Sequence, residues 1–156
     1  MIAILSLFAL PALADELPTK PDPTPILTVE TDTGSYHLTR ETIAKLPSHS
    51  FTTSTIWTDG PQEFVGIRVA DLLNLLDKDA TTLQLTAANG YQIDVQAAHF
   101  HDFDAIIAYL RNGEPMTLRD KGPLWIVYPY DSDPRYKAEI IFANSIWQLE
   151  RIELKH

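Results

Sequence analysis

Leu83-Gln84-Leu85-Thr86-Ala87-Ala88-Asn89-Gly90-Tyr91-Gln92-Ile93-Asp94-Val95 is the stretch that decides the fold class. Leu83 and Leu85 alternate with polar neighbours, and Tyr91, Ile93 and Val95 do the same. Alternation of this kind puts one face of a strand in a core and the other in water. Asn89-Gly90 between the two runs supplies the backbone conformations that a tight hairpin needs. The stretch therefore predicts an antiparallel hairpin.

Working outward, Ile26–Glu30 and Tyr36–Leu38 read as neighbouring strands, with Asp32-Thr33-Gly34-Ser35 as the turn. Thr39 is placed to cap a short helix that Pro47 stops. Phe51–Trp57 is rich in Thr, Ile and aromatics and predicts a strand, broken by Asp59-Gly60-Pro61. Val69, Leu72, Leu73 and Leu76 predict an amphipathic helix over Arg68–Leu76. The same spacing in Phe103, Ile106, Ile107 and Leu110 predicts a second helix ending at Gly113. Leu124–Tyr128, bounded by Pro123 and Pro129, predicts a short buried strand, and Tyr130–Lys137 a polar, aromatic loop. Ile146–Leu154 is strand-like. Its apolar parity shifts between Leu149 and Ile152, which predicts a bulge near Glu150 or Arg151. Strands dominate and the helices are short, so the expectation is an α+β domain with a mixed β-sheet.

The 156 residues suit one domain, and 45% hydrophobic with 21% charged residues allows one packed core. The formal charge is -9, from 21 acidic residues against 12 Lys and Arg. Such a surface repels phosphate backbones and argues against nucleic acid as a partner. There are no cysteines, which excludes disulfides, thiolate nucleophiles and Cys-ligated metal centres. Ile2–Leu10 is apolar and Ala12-Leu13-Ala14 matches a signal-peptidase pattern, so residues 1–14 read as a signal peptide. Residues 15–25, with Pro18, Pro21, Pro23 and Pro25, read as an extended linker, leaving 26–156 as the domain. The expected location is the periplasm.

Several clusters have a chemical and a plain reading. His99 and His101 with Asp102 and Asp104 look like a metal cluster, but no third ligand has convincing spacing; a solvated loop, with Asp102 or Asp104 capping the helix that follows, accounts for them better. His49 between Ser48 and Ser50 is a loop after Pro47, since a Ser–His–Asp triad is a spatial arrangement that sequence neighbours rarely form. Tyr128-Pro129-Tyr130-Asp131, with Arg135 and Tyr136, is more informative. Aromatic faces stack on a planar heterocycle such as a pterin, while a carboxylate and a guanidinium satisfy its polar edge. The alternative is a surface loop whose tyrosines pack on a sheet edge. Trp57 and Trp147 stand beside breaker residues and are core or ligand-stacking residues.

Over Ile26–Leu154 the order of motifs resembles the oxidoreductase molybdopterin-binding domain of the sulfite-oxidase family. The matching stretches are Leu38-Thr39 to Leu46-Pro47, Trp57, Phe64-Val65-Gly66-Ile67 into Asp71-Leu72-Leu73, Asn89-Gly90-Tyr91, Gly122-Pro123-Leu124 and Ser145-Ile146-Trp147-Gln148-Leu149. The resemblance implies a single compact sulfite-oxidase-like domain with a pterin cleft. In that family a Cys shortly before the motif tryptophan ligates molybdenum. Thr53 stands at its position here, and a neutral hydroxyl does not replace a thiolate. The chain also resembles small Cys-less periplasmic pterin-binding proteins of the PruR type. That likeness implies a non-catalytic protein with a monapterin- or neopterin-type ligand and no molybdenum cofactor. It implies as partner the periplasmic domain of an inner-membrane diguanylate cyclase or phosphodiesterase. The expected ligand contacts are Trp57, Tyr128, Tyr130, Tyr136 and Trp147 for stacking or lining, Asn89, Asp131 and Arg135 for edge hydrogen bonds, and Thr53 at the old metal position. The competing readings are a molybdopterin-dependent oxidoreductase with a non-Cys metal ligand, and an interaction module whose cleft has been filled.

Overall fold

The computed structural model describes residues 24–156; the signal-peptide reading and most of the linker reading fall outside them. Two sheets carry the fold. The first runs β2 (Gly34–Leu38), β1 (Leu27–Thr31), β10 (Leu149–Lys155), β5 (Thr82–Ala87) and β6 (Gln92–Gln96). Its β1–β10 pair is parallel and its other pairs antiparallel. The second runs β3 (His49–Thr53), β4 (Gln62–Arg68), β7 (Ile106–Arg111) and β8 (Glu114–Pro115), with β9 (Trp125–Val127) also paired to β7. Four short helices complete the described residues: α1 (Arg40–Ala44), α2 (Val69–Leu76), α3 (Ala97–Asp102) and α4 (Glu139–Ala143). The α+β class and the mixed sheet expected from the sequence are both present. Among the described residues no helix is long and apolar enough to cross a membrane.

Local chemistry explains most of these elements. The Thr39 hydroxyl accepts from the Thr42 amide and caps α1. The β5–β6 hairpin forms around Asn89-Gly90, but only Gly90 takes a positive φ (84°), and the Tyr91 carbonyl closes the loop on the Ala87 amide. This is a three-residue connection with a left-handed glycine rather than a two-residue one. The register of β10 on β5 shifts between Leu149 and Arg151, where the parity change placed the bulge.

Two expectations fail. The second helix over Phe103–Leu110 is strand β7, and the helix lies one segment earlier, at α3. Strand β7 is paired along both edges, by β4 and by β9, and the consecutive residues Ile106, Ile107, Ala108 and Tyr109 are all buried, so both of its faces are covered. A strand buried on both faces carries a continuous apolar run, which imitates helical spacing over a few residues. Gly113 belongs to a hairpin turn: Asn112 and Gly113 both have positive φ (51° and 80°) and link Arg111 to Glu114. The strand expected over Phe51–Trp57 ends at Thr53, and Trp57 lies in the following turn.

The segment Ser145–Gln148 forms the seam between the sheets. Ile126 donates to the Ile146 carbonyl (2.9 Å) and Leu149 to that of Leu124 (3.0 Å). Gln148 donates to the Lys121 carbonyl (3.0 Å), and its own carbonyl accepts from Ala88 (2.8 Å). Beta9, the β5–β6 turn and the loop before β9 are thus pinned to one strip of backbone. Gly66 permits the close approach of β4 to β7, because a Cβ there would collide with the Ile107 carbonyl.

Candidate functional site

The seam opens into a pocket of about 350 Å³, lined among others by Trp57, Asn89, Tyr91, Phe142, Trp147 and Gln148. That volume lies within the usual range for small-molecule sites, roughly 300–1,000 Å³. Each wall has a separate origin. Trp57 comes from the turn after β3, Asn89 and Tyr91 from the hairpin tip, Phe142 from α4, and Trp147 and Gln148 from the seam. The two tryptophans meet edge to face, centroids 5.5 Å apart at 67°. Trp57 makes the same kind of contact with Phe142 (6.0 Å) and Trp125 (5.8 Å). Edge-to-face packing fixes the ring planes, so these walls are held in place before any ligand arrives. The hairpin lip is fixed as well: the Asn89 Oδ1 accepts from the Tyr91 amide at 3.0 Å.

Three of the nine expected contact residues therefore converge on this pocket: Trp57, Asn89 and Trp147. The tyrosines do not join them. Tyr128, Tyr130 and Tyr136 are buried in the core. Each hydroxyl already has a partner. Tyr128 pairs with His99 Nε2 (2.9 Å) and Tyr130 with Ser145 Oγ (2.6 Å), while Tyr136 accepts from the Asp104 amide (3.2 Å) and from Arg135 (3.1 Å). Their rings pack against one another and against Phe103 and Phe142. Burial raises the pKa of Tyr128 and pushes that of Tyr130 up to about 12. Burial also lowers the pKa of His99, with the Asp102 charge opposing it, so the neutral ring is favoured where Nε2 pairs with the Tyr128 hydroxyl. Arg135 lies over the rings of Phe103 and Tyr136, both 5.0 Å away, and so covers the tyrosine layer instead of lining the pocket.

Thr53 and Asp131 form a clasp. The Asp131 amide donates to the Thr53 hydroxyl (3.1 Å), and the Ser54 amide donates to Asp131 Oδ2 (2.6 Å). The Thr53 hydroxyl in turn donates to the Ser54 carbonyl (3.2 Å). The Ser54 amide holds the Asp131 carboxyl below the usual carboxylate range, with Lys137 assisting at 3.5 Å. A smaller recess of about 200 Å³, bordered by Ser54, Asp131 and Lys137, lies beside this clasp. Thr53 is buried, its hydroxyl engaged on both sides, and no Cys exists in the chain. Among the described residues no three His, Cys, Asp or Glu side chains gather in a metal-binding group. This donor set does not fit a thiolate-ligated molybdenum centre. His99 and His101 lie on α3 rather than on an extended segment, so they do not share a face.

Reading the sequence alone overlooked Tyr91, Phe142 and Gln148 as pocket walls, and Lys121, whose Nζ stands 4.1 Å from the Trp147 ring centroid. The Asn89-Gly90-Tyr91 and Trp147-Gln148-Leu149 motifs already contained two of them; Phe142 falls in a helix with too few residues to show a period.

No protein-family model matches the chain, and no curated protein matches it in sequence. Its fold is shared with the sulfane dehydrogenase SoxCD from Paracoccus pantotrophus, with a TM-score of 0.61 at 17% identity. The match covers 83% of this chain and 37% of that protein, so the chain spans well under half the length of its structural neighbour. The likeness is one of fold: two sheets joined at the Ser145–Gln148 seam, with short helices, over most of the described residues.

Proposed function

We propose that this chain is a non-catalytic binding protein for a pterin-type ring, seated in the pocket between Trp57, Trp147 and the Asn89–Tyr91 lip. The observation that carries the reading is the meeting of Trp57, Asn89 and Trp147, distant in sequence, on one cavity of about 350 Å³. Lys121 covers one face of Trp147, and the residue still lines the pocket with 36% of its surface exposed, which leaves ring surface for a planar ligand. With Asn89 Oδ1 tied to the Tyr91 amide and Gln148 Nε2 to the Leu118 carbonyl, Asn89 Nδ2 remains as a donor and Gln148 Oε1 as an acceptor, which suits the mixed edge of a pterin. The fold and the family resemblance support the ligand class; the Thr53–Asp131 clasp supports the loss of molybdenum chemistry.

On this reading the protein works in the periplasm. It reports a monapterin- or neopterin-type ligand to the periplasmic domain of an inner-membrane diguanylate cyclase or phosphodiesterase. The support for location and partner is the resemblance to PruR-type proteins together with the signal-peptide pattern at residues 1–14.

Fluorescence titration with a panel of pterins tests the binding. Trp57 and Trp147 line the pocket, so saturable quenching at micromolar ligand is expected. It should weaken by roughly tenfold in Trp147→Ala, the loss of one stacking face being worth on the order of 1 kcal/mol or more. No saturation with any pterin would overturn the ligand class. Stoichiometric molybdenum in protein purified from its native compartment would overturn the non-catalytic reading and favour an oxidoreductase.

A further inference from the structure

A second cleft, of about 590 Å³, lies on the other side of Trp57. Its lining includes Arg111, Arg119 and Lys121, together with the carboxylates Asp59 and Asp120. In a chain of net charge -9, three cations in one concavity stand against the general field. Asp120 is engaged, accepting from the Thr117 hydroxyl (2.8 Å) and lying 3.9 Å from Arg111. Arg119 and Lys121 have no carboxylate within 4.0 Å among the described residues, so of the three cations only Arg111 is directly paired, and the cations outnumber the two carboxylates of the lining. Lys121 alone is held, by its contact with Trp147.

The backbone gives an independent reason to single out Lys121. It sits at φ 73°, in the left-handed region, closing a turn in which the Gly122 amide returns to the Thr117 carbonyl (2.7 Å). Glycine is the usual residue at such a turn end, and a side chain there costs roughly 1 kcal/mol. Three non-glycine residues among those described have positive φ: Asn112, Lys121 and Gln148. Asn112 belongs to a tight hairpin turn, which favours Asn. The other two are bonded to each other at the seam, between the two cavities. Strain kept at a residue whose ammonium lines a cleft with no carboxylate partner points to a use for that side chain.

The geometry points to this cleft as a binding site for a phosphate-type oxoanion, held by Arg119 and Lys121 with Arg111 behind them. The site goes beyond the ring pocket and does not require it to be filled. Trp57 is the shared wall and Lys121 touches Trp147, so an anion that draws Lys121 away from the ring alters the surroundings of a pocket tryptophan. The ligand source is either free phosphate or the phosphate monoester of a larger molecule.

Calorimetric titration of the full chain with inorganic phosphate, a simple phosphate monoester and acetate separates these. Binding of the first two is expected, weaker for acetate, and falling as salt rises. The double variant R119Q/K121Q should lose tenfold or more in affinity, since each charge-assisted contact is worth about that much. R151Q, whose guanidinium lies 3.8 Å from Glu30 and lines neither cleft, should bind as the parent does. Lys121→Gly is the sharper variant. It relieves the left-handed strain, so its thermal midpoint should hold or rise while phosphate affinity falls. Phosphate affinity unchanged in R119Q/K121Q and K121G would overturn the site. So would an acidic peptide that binds this cleft where phosphate does not.

Discussion

Two aromatic layers meet at Phe142, and they use the same kinds of side chain for opposite ends. On one side Tyr128, Tyr130 and Tyr136 are buried, each hydroxyl bonded within the protein. On the other Trp57 and Trp147 keep part of their rings open to a cavity, with Trp147 36% exposed. Burial is what separates them. A ring enclosed on all sides contributes its whole transfer free energy to folding and has no face left for a ligand. A ring at a cavity wall contributes less to folding and keeps a face free. The tyrosine layer should therefore behave as core and the tryptophan layer as site, and substitutions can set the two against each other.

The largest difference is expected from truncation. Tyr128→Ala removes a fully buried ring and orphans the His99 contact, and should cost about 3–5 kcal/mol of stability, the usual range for large buried aromatics. Trp147→Ala should cost less, about 1–2 kcal/mol, because much of its ring already meets water or the pocket. Urea unfolding of both variants checks the order. A reversed order would break the division between core and site.

This division was only half legible in the sequence. The strand alternation around Asn89-Gly90, the Thr39 cap and the parity shift after Leu149 are local signals, and each corresponds to an element in the structure. Tyr128, Tyr130 and Tyr136 sit among Pro, Asp and Ser, a composition that suggests a surface loop. The structure folds that loop back, with a 3-10 turn at Pro134–Lys137 capped by Asp133, so that its rings enter the core. Nothing local announces this, because the partners are Phe103 on one side and Phe142 on the other. The pocket is equally non-local: it needs the hairpin tip, the turn after β3 and the seam together. Strand β7 failed for a different reason. Burial on both faces erased the alternation that marks a half-exposed strand.

A finer comparison within the buried layer is chemical. Tyr130→Phe keeps the ring and removes the hydroxyl that pairs with Ser145. Ser145 still donates to the Ile141 carbonyl (2.7 Å), so no buried donor is stranded and the cost should be about 1 kcal/mol. The pH dependence is the clearer mark. Burial raises the Tyr130 pKa to about 12, above the ordinary value of 10.0. The neutral phenol is thus favoured by folding. Its contribution is complete below about pH 10, where the unfolded chain is also protonated, and is lost as pH rises through about 12. Tyr130→Phe should flatten the alkaline limb of the stability curve, whereas Trp147→Ala should leave it unchanged. An alkaline limb identical in parent and Tyr130→Phe would show that this hydroxyl is not the one titrating.

The smallest effect belongs to the clasp that joins the two layers. Asp131 is held below the ordinary carboxylate range, chiefly by the Ser54 amide. A carboxyl whose folded pKa is depressed stabilises the protein above its unfolded value and ceases to do so as pH falls. The loss should therefore begin below about pH 4. Its size is limited, because the Asp131 side chain is 43% exposed and solvent screens it. Asp131→Asn keeps the shape and an acceptor oxygen but removes the charge, so it should remove only this acid-side slope. The Thr53 hydroxyl would still accept from the backbone amide of residue 131. Amide exchange at Ser54, followed from neutral pH downward, reads the clasp directly. A protection factor, taken against the intrinsic rate at each pH, that falls as the carboxylate protonates is expected in the parent, and a pH-independent one in Asp131→Asn. If parent and variant lose protection together, the charge is not what ties the end of β3 to the tyrosine layer.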